Sequence, residues 1–221
     1  MIGFYNYTVI LTYIGLISTF VGITQVFEGN FMVAIFCLIL SGVCDMFDGV
    51  VARTHKTRSE QAQKFGIQID SLCDVICFGV FPAVFNYAYT RMINPELNIV
   101  AAIVSSFFVL CAVIRLGFFN VMEEERQKKT KEVRKMYQGM PVTTVAGFLP
   151  LLYMFRIRLA AANIDFHIVL NVFCFVLALL YILDVPVPKA HKKGIIAMSI
   201  IGFVMISILL LQSFEKIAFY I

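Results

Sequence analysis

The sequence predicts an all-α integral membrane protein, with a six-helix core and a seventh, C-terminal transmembrane helix. Three observations predict it. Sixty per cent of the 221 residues are hydrophobic and 14% are charged, against roughly 25% charged in a soluble domain. Mean hydropathy is +0.87. The apolar residues gather into continuous runs at about 7–27, 31–52, 67–90, 97–119, 142–160, 166–184 and 194–214, each near the ~20 residues that a bilayer-crossing helix requires. Continuous runs indicate helices, because the strands of a membrane barrel alternate in polarity instead. No internal repeat or low-complexity tract divides residues 1–221, so the chain reads as one membrane-embedded domain.

The first run, 7–27, has no Lys or Arg before it and no small-residue cleavage site after it, so it is expected to be a retained span. The second, 31–52, ends in DMFDGVVAR, residues 45–53. Here Asp45, Asp48, Gly49 and Ala52 recur at three- and four-residue intervals and so share one helix face. The third, 67–90, opens on GIQIDSLCD, where Gly66, Asp70 and Asp74 again share a face. Asp45 lies eight residues before Arg53 and Asp74 eight after Gly66. Both pairs therefore reach about 12 Å from the connecting loop at 1.5 Å per residue. Two antiparallel neighbours thus bring four carboxylates to matching depth.

The fourth run, 97–119, carries Arg115 near its end. Two readings stand: an arginine snorkelling to the interface, or a guanidinium holding an anion. The segment EEERQKKTKEVRKMYQG, 123–139, mixes both charges and is expected to be a solvated helix with i,i+4 pairs, its basic residues available to anionic lipid. The fifth and sixth runs contribute no charged cluster. Cys37, Cys44, Cys73, Cys77, Cys111 and Cys174 all lie in or beside apolar runs, where buried free thiols are expected rather than disulfides or a metal site. His55, His167 and His191 lack metal-ligand spacing. The net charge of +4 sits in membrane-flanking loops, and no nucleic-acid partner is expected.

Basic residues set the orientation. With a cytoplasmic N-terminus, the inner loops hold Arg53, Lys56, Arg58, Lys64, Arg126, Lys128, Lys129, Lys131, Arg134, Lys135, Lys189, Lys192 and Lys193, while the outer segments hold only Arg91, Arg156, Arg158 and Lys216. Both aspartate pairs then face the cytoplasm.

An isolated ionised carboxylate at that depth is costly, and four together repel one another. Protons, basic side chains or divalent cations are the possible partners. Arg53 and Arg115 supply only two charges against four. Two divalent ions balance all four and suit hard oxygen ligands, and aspartate-held metal pairs recur in phosphoryl transfer. The small residues Gly49, Ala52 and Gly66 fit either close helix packing or room for a substrate against bare backbone. An ion-coupled transporter is the reading from a different class.

Asp45-x-x-Asp48-Gly49-x-x-Ala52-Arg53, followed by Gly66-x-x-x-Asp70-x-x-x-Asp74, resembles the signature of the CDP-alcohol phosphotransferase family. Twelve residues separate Arg53 from Gly66, about four more than is common in that family, and they fall in a polar loop that tolerates insertion. The sequence Asp70-Ser71-Leu72-Cys73-Asp74-x-x-x-Phe78-Gly79-x-x-Pro82 is similar to the phosphatidylserine synthase branch. So are Arg115 to Asn120, Gly139-Met140-Pro141 and Val185-Pro-Val-Pro-Lys189. Glycerophosphate-using relatives typically carry Asp-Pro and Asp-Lys where Asp70-Ser71 and Asp74-Val75 stand here.

The resemblance covers about 6–189 and implies a six-helix catalytic core, with the helix at 194–214 outside it. It implies transfer of a phosphatidyl group from CDP-diacylglycerol to L-serine, with release of CMP; other alcohols, an inositol phosphate or glycerol 3-phosphate, are the alternatives. By the same resemblance, Asp45, Asp48, Asp70 and Asp74 hold two divalent cations, Mg2+ or Mn2+, and Asp74 is also the general base. Gly49, Ala52, Arg53, Gly66 and Thr8 meet the CDP-linked donor. Arg115, Ser71 and Asn120 meet the acceptor or a phosphate. A homodimer in a bacterial plasma membrane, with its active site facing the cytoplasm, completes the expectation.

Overall fold

The computed structural model describes Gly3, 7–54, 59–129, 136–188 and Ser207. Apart from Ser207, the expected seventh span at 194–214 lies outside the described residues. So do His55 and His191 and many of the loop lysines and arginines.

A short 3-10 turn, Tyr7–Val9, leads into α1 (Ile10–Phe27), which folds back against α2 (Phe31–Thr54). The turn between them is tight because Gly29 adopts φ +78°, a conformation that glycine enters without steric cost. Next come α3 (Glu60–Asp74), a single π-helical turn over Val75–Val80, and α4 (Phe81–Ile93), which together form one helical run from Glu60 to Ile93. After a 3-10 turn at Pro95–Leu97, α5 spans Asn98–Lys129. It is followed by α6 (Val145–Met154), α7 (Arg156–Ala161) and α8 (Phe166–Ile182). Two three-residue strands, β1 (Met136–Gln138) and β2 (Pro186–Pro188), pair antiparallel with Tyr137 opposite Val187.

This is an all-α membrane fold, the two short strands being its one described departure from helix. Tyr7–Phe27, Phe31–Ala52, Glu60–Ile93 and Pro95–Arg126 are long and apolar enough to cross a membrane. The outward faces show why a bilayer is needed. On α1, Ile10, Ile14, Ile17 and Val21 form an exposed apolar stripe at helical spacing, and on α8 Ile168, Val172, Phe175 and Val176 do the same. Water would penalise such faces, whereas lipid does not.

The expected fifth and sixth spans are shorter than the sequence suggests, at Val142–Met154 and Phe166–Ile182. Pro150 lies inside α6 and cannot donate to the helical ladder. The chain then breaks at Phe155, whose N–H turns to the Leu152 carbonyl. Asn163, at φ 57°, closes α7, a left-handed position that asparagine tolerates at a helix end. The expected helix over 123–139 is realised only in part. At about 1.5 Å per residue, the 32 residues of α5 exceed the ~30 Å hydrocarbon layer, and its last turns carry the surface pairs Arg126–Glu123 and Lys128–Glu124. Further on, Met136–Gln138 is strand, because the returning segment at 186–188 offers it a backbone partner.

The core is built where α2, the third helical run, α5 and α8 meet, around Ile35, Leu38, Phe78, Phe81, Phe85, Phe108, Leu170 and Cys174. All six cysteines are free thiols. At one end of the bundle α4, α5 and α8 are tied by amides. Asn86 donates to Ser105 and to Asn171 at 3.1 Å each, and Asn171 donates to Thr90 at 2.8 Å. Such bonds are worth about 0.6–2 kcal/mol each inside a membrane.

Close helix approach holds α1 in place. A Cβ at Gly22 would overlap the Phe81 ring and come within 2.9 Å of the Cys37 Cβ. Gly22→Ala is therefore expected to lower stability by about 1–3 kcal/mol, the usual range for overpacking, measured by denaturant titration in detergent micelles. Unchanged stability would show that α1 does not depend on this contact.

Candidate active site

Local sequence explains how each carboxylate is presented. The second apolar run continues as helix through its polar end to Thr54, carrying Asp45 and Asp48 on the face turned to its neighbours. Ser59 starts α3, its hydroxyl accepting from the Ala62 N–H at 3.2 Å, a standard N-cap. The Glu60–Lys64 pair on the first turn is exposed on both sides and adds little. From that start, the four-residue spacing of Gly66, Asp70 and Asp74 keeps them on one face.

The aspartates converge. Carboxylate oxygens of Asp45, Asp70 and Asp74 lie within 4.8 Å of one another. Across the two helices, Asp45 lies against Asp74 and Asp48 against Asp70. Asp48 is 8% exposed, and its Oδ2 accepts a hydrogen bond from Thr12 Oγ1 at 3.0 Å. Among the described residues, buried Asp70 Oδ1 has no hydrogen-bond partner. With an effective dielectric of about 20, two ionised carboxylates at this separation repel by roughly 3 kcal/mol. Among the described residues, the ion pairs of Lys64, Arg126 and Lys128 go to glutamates and not to the aspartates.

A divalent cation fits this arrangement. The donors are hard carboxylate oxygens, the ligand type that Mg2+ and Mn2+ take, and three of them lie within 4.8 Å of one another. The orphaned Asp70 oxygen is the atom that such an ion would satisfy.

The remaining expected residues fall around this centre. Among the described residues, a Cβ on Gly49 would meet nothing within 4 Å, so this glycine does not serve contact with the described helices. Ala52 and Gly66 are half-buried, and Arg53 sits in the last turn of α2. Thr8 is buried in the turn before α1, and beside it the Tyr7 hydroxyl bonds Thr54 at 3.0 Å. Ser71 and Asn120 meet directly, Asn120 Nδ2 donating to Ser71 Oγ at 2.7 Å. That bond fixes the antiparallel register of α5 on α3. Eight residues away on each helix, a Cβ on Gly79 would touch Ala112 at 3.3 Å.

Arg115 does not snorkel. It is 5% exposed, and its Nε and Nη2 donate to the carbonyls of Met140 and Gly139 at 3.1 and 3.3 Å. Gly139 takes φ +73°, with Leu183 O, Tyr181 O and Arg115 Nε crowding the place of a side chain. The Gly139-Met140-Pro141 segment is thus a backbone clasp closed by Arg115 and by Tyr181, whose hydroxyl bonds the Val142 carbonyl at 3.0 Å. Thr12 and the π turn directly after Asp74 are features that the sequence reading missed. A π turn in a long helix frequently accompanies a functional site.

The family model described as CDP-alcohol phosphatidyltransferase matches residues 5–173. The chain belongs to that family. Among curated relatives, it is similar to the CDP-diacylglycerol–serine O-phosphatidyltransferase of Saccharomyces cerevisiae, at 37% identity over 59% of this chain and 45% of that protein. It is similar to the protein of the same name from Helicobacter pylori, at 36% identity over 47% of this chain and 42% of that one. A further protein of that name, from Methanocaldococcus jannaschii, matches at 27% identity over 82% of this chain and 74% of its own length. The chain spans less than half the length of the first two.

The repulsion in the cluster gives a stability test that needs no substrate. Asp70→Asn removes one charge and relieves repulsion, so without divalent cation the variant is expected to melt at or above the wild-type temperature. Added Mn2+ or Mg2+ is expected to raise the wild-type melting temperature and to raise that of Asp70→Asn much less. Equal cation-induced shifts in both would remove Asp70 from the ligand set.

Proposed function

We propose that this site transfers the phosphatidyl group of CDP-diacylglycerol to L-serine, forming phosphatidylserine and releasing CMP. The observation that carries the reading is the converging carboxylate cluster with its orphaned Asp70 oxygen, at the end of two membrane helices. The serine-specific names of relatives at 36–37% identity support the choice of acceptor.

Asp45, Asp48, Asp70 and Asp74 are the residues that would hold two divalent cations, Mg2+ or Mn2+. Bound there, such ions supply charge neutralisation for the diphosphate and for the departing CMP. The chain's own groups do the rest. The space that the described residues leave beside Gly49, with the small Ala52 and Gly66, admits the cytidine end of the donor, and Arg53 and Thr8 border it. The acyl chains stay in the bilayer. Asp74 accepts the proton of the serine hydroxyl, which is a weak nucleophile unless a base assists it. The serine oxygen then bonds to the phosphatidyl phosphorus as the bond from that phosphorus to the CMP oxygen breaks, and the proton passes from Asp74 to solvent.

Ser71 and Asn120, joined to each other beside Asp70, form the acceptor side. Arg115 contributes through the 139–140 clasp it closes and, as a guanidinium with five N–H donors, suits the serine carboxylate. The excess of basic residues in the inner loops supports a cytoplasmic active site, and we read the protein as a homodimer of a bacterial plasma membrane.

Purified protein given CDP-diacylglycerol and a panel of alcohols is expected to release CMP fastest with L-serine and slowly with glycerol 3-phosphate; the reverse order would overturn the acceptor assignment. Asp74→Asn is expected to lower kcat by about 100-fold or more, the usual weight of a general base. Arg115→Lys, which replaces a fork by a point charge, is expected to raise KM for serine about tenfold, or about 1.4 kcal/mol, and to move the donor KM less. A raised donor KM with unchanged serine KM would place Arg115 on the donor phosphate instead.

A further inference from the structure

Thr12 lies outside the aspartate motif, on a different helix, yet its hydroxyl makes a direct hydrogen bond to one of the four carboxylates. Its Oγ1 stands 3.0 Å from Asp48 Oδ2, and the two residues are 9% and 8% exposed. The direction of the bond follows from chemistry. An ionised carboxylate only accepts, so the Thr12 hydroxyl proton points at Asp48. A helical threonine ordinarily turns its hydroxyl back to a carbonyl one turn earlier; this one is directed across to α2.

The contact is built by the α1–α2 register. About two helical turns from Asp48 along α2, Ser41 Oγ donates to the Gly15 carbonyl at 2.9 Å, and it meets the Thr19 hydroxyl at 2.9 Å. Ser18 donates to the Cys37 carbonyl at 3.1 Å. Gly15 permits this approach, since a Cβ there would already touch the Cys44 Cβ at 3.4 Å. A ladder of buried hydroxyls thus locks α1 to α2, and Thr12 is its rung at the site.

We infer that Thr12 is a positioning residue: its hydroxyl fixes the orientation of the Asp48 carboxylate so that the group is held ready for a divalent cation. The inference rests on the metal reading of the aspartate cluster. Asp48 has two side-chain torsions, and a ligand that must be frozen on binding weakens the site. Groups that orient a metal ligand typically change affinity 10–100-fold when removed.

The test reads cation binding directly, by titrating purified protein with Mn2+ and following the free-ion signal by electron paramagnetic resonance. Thr12→Val keeps the shape and removes the donor; it is expected to weaken Mn2+ binding about tenfold or more. Thr12→Ser restores the donor and is expected to bind within about threefold of wild type, since individual contributions vary by factors of 2–3 with context. Thr12→Cys fills the same space with a weak donor and serves if the valine variant does not fold; an intermediate affinity is expected. Wild-type affinity in Thr12→Val, or in Thr12→Cys where that variant is used, overturns the inference while leaving the metal site intact. A wild-type protein that binds no Mn2+ overturns the metal reading itself.

Discussion

The gathering of carboxylates inside an apolar bundle is the constraint that governs this structure. Ionised, they would repel one another, so α2 and α3 rely on contacts elsewhere to stay together. On one side, α1 grips α2 through Ser18, Thr19 and Ser41 and seats Gly22 against Phe81. On the other, α5 is fixed to the third helical run by Asn120 on Ser71 and by the close approach of Gly79 to Ala112. The hydrogen bonds in this frame draw on hydroxyl and amide groups, which hold helices together where lipid removes the hydrophobic drive for them to associate.

The same constraint explains how the polar ends are organised. The Asn86–Asn171–Thr90–Ser105 network ties α4, α5 and α8 through neutral groups. Backbone carbonyls of the 139–142 segment are used by Arg115 and Tyr181, so the buried guanidinium is hydrogen-bonded by peptide carbonyls. The π turn at Val75–Val80 follows Asp74 at once and changes the phase of the helix. From within it onward, Phe78, Phe81 and Phe85 enter the core, while Asp70 and Asp74 before it lie against Asp45 and Asp48.

Much of this was legible in the sequence, and the limits are physical. The first four helices follow from apolar run length, and the shared faces of Asp45 with Asp48 and of Asp70 with Asp74 follow from helical spacing alone. Run length ends the fourth span at 119, but the charge pattern of 123–139 gave the solvated helix that α5 continues as, to Lys129. Run length could not show the break at Phe155, where Pro150 and a short turn interrupt an unbroken apolar run. Arg115 was ambiguous because its partners are carbonyls more than twenty residues away, which no side-chain pattern encodes. Thr12 was invisible for a similar reason: it is one hydroxyl among several on α1, and only the α1–α2 register singles it out. Gly49 was open between two readings until the structure showed that a Cβ there would meet none of the described residues within 4 Å.

The central claim is that the carboxylate cluster is a cation-loaded centre for transfer onto an alcohol. The most direct measurement is CMP release from CDP-diacylglycerol by the purified protein, with and without L-serine, before and after chelation and re-addition of Mn2+ or Mg2+. The account predicts CMP formation only when serine and divalent cation are both present, lost on chelation and recovered on re-addition. CMP release that persists in chelator, or a protein that instead moves cations across vesicle membranes without consuming the nucleotide lipid, would contradict it.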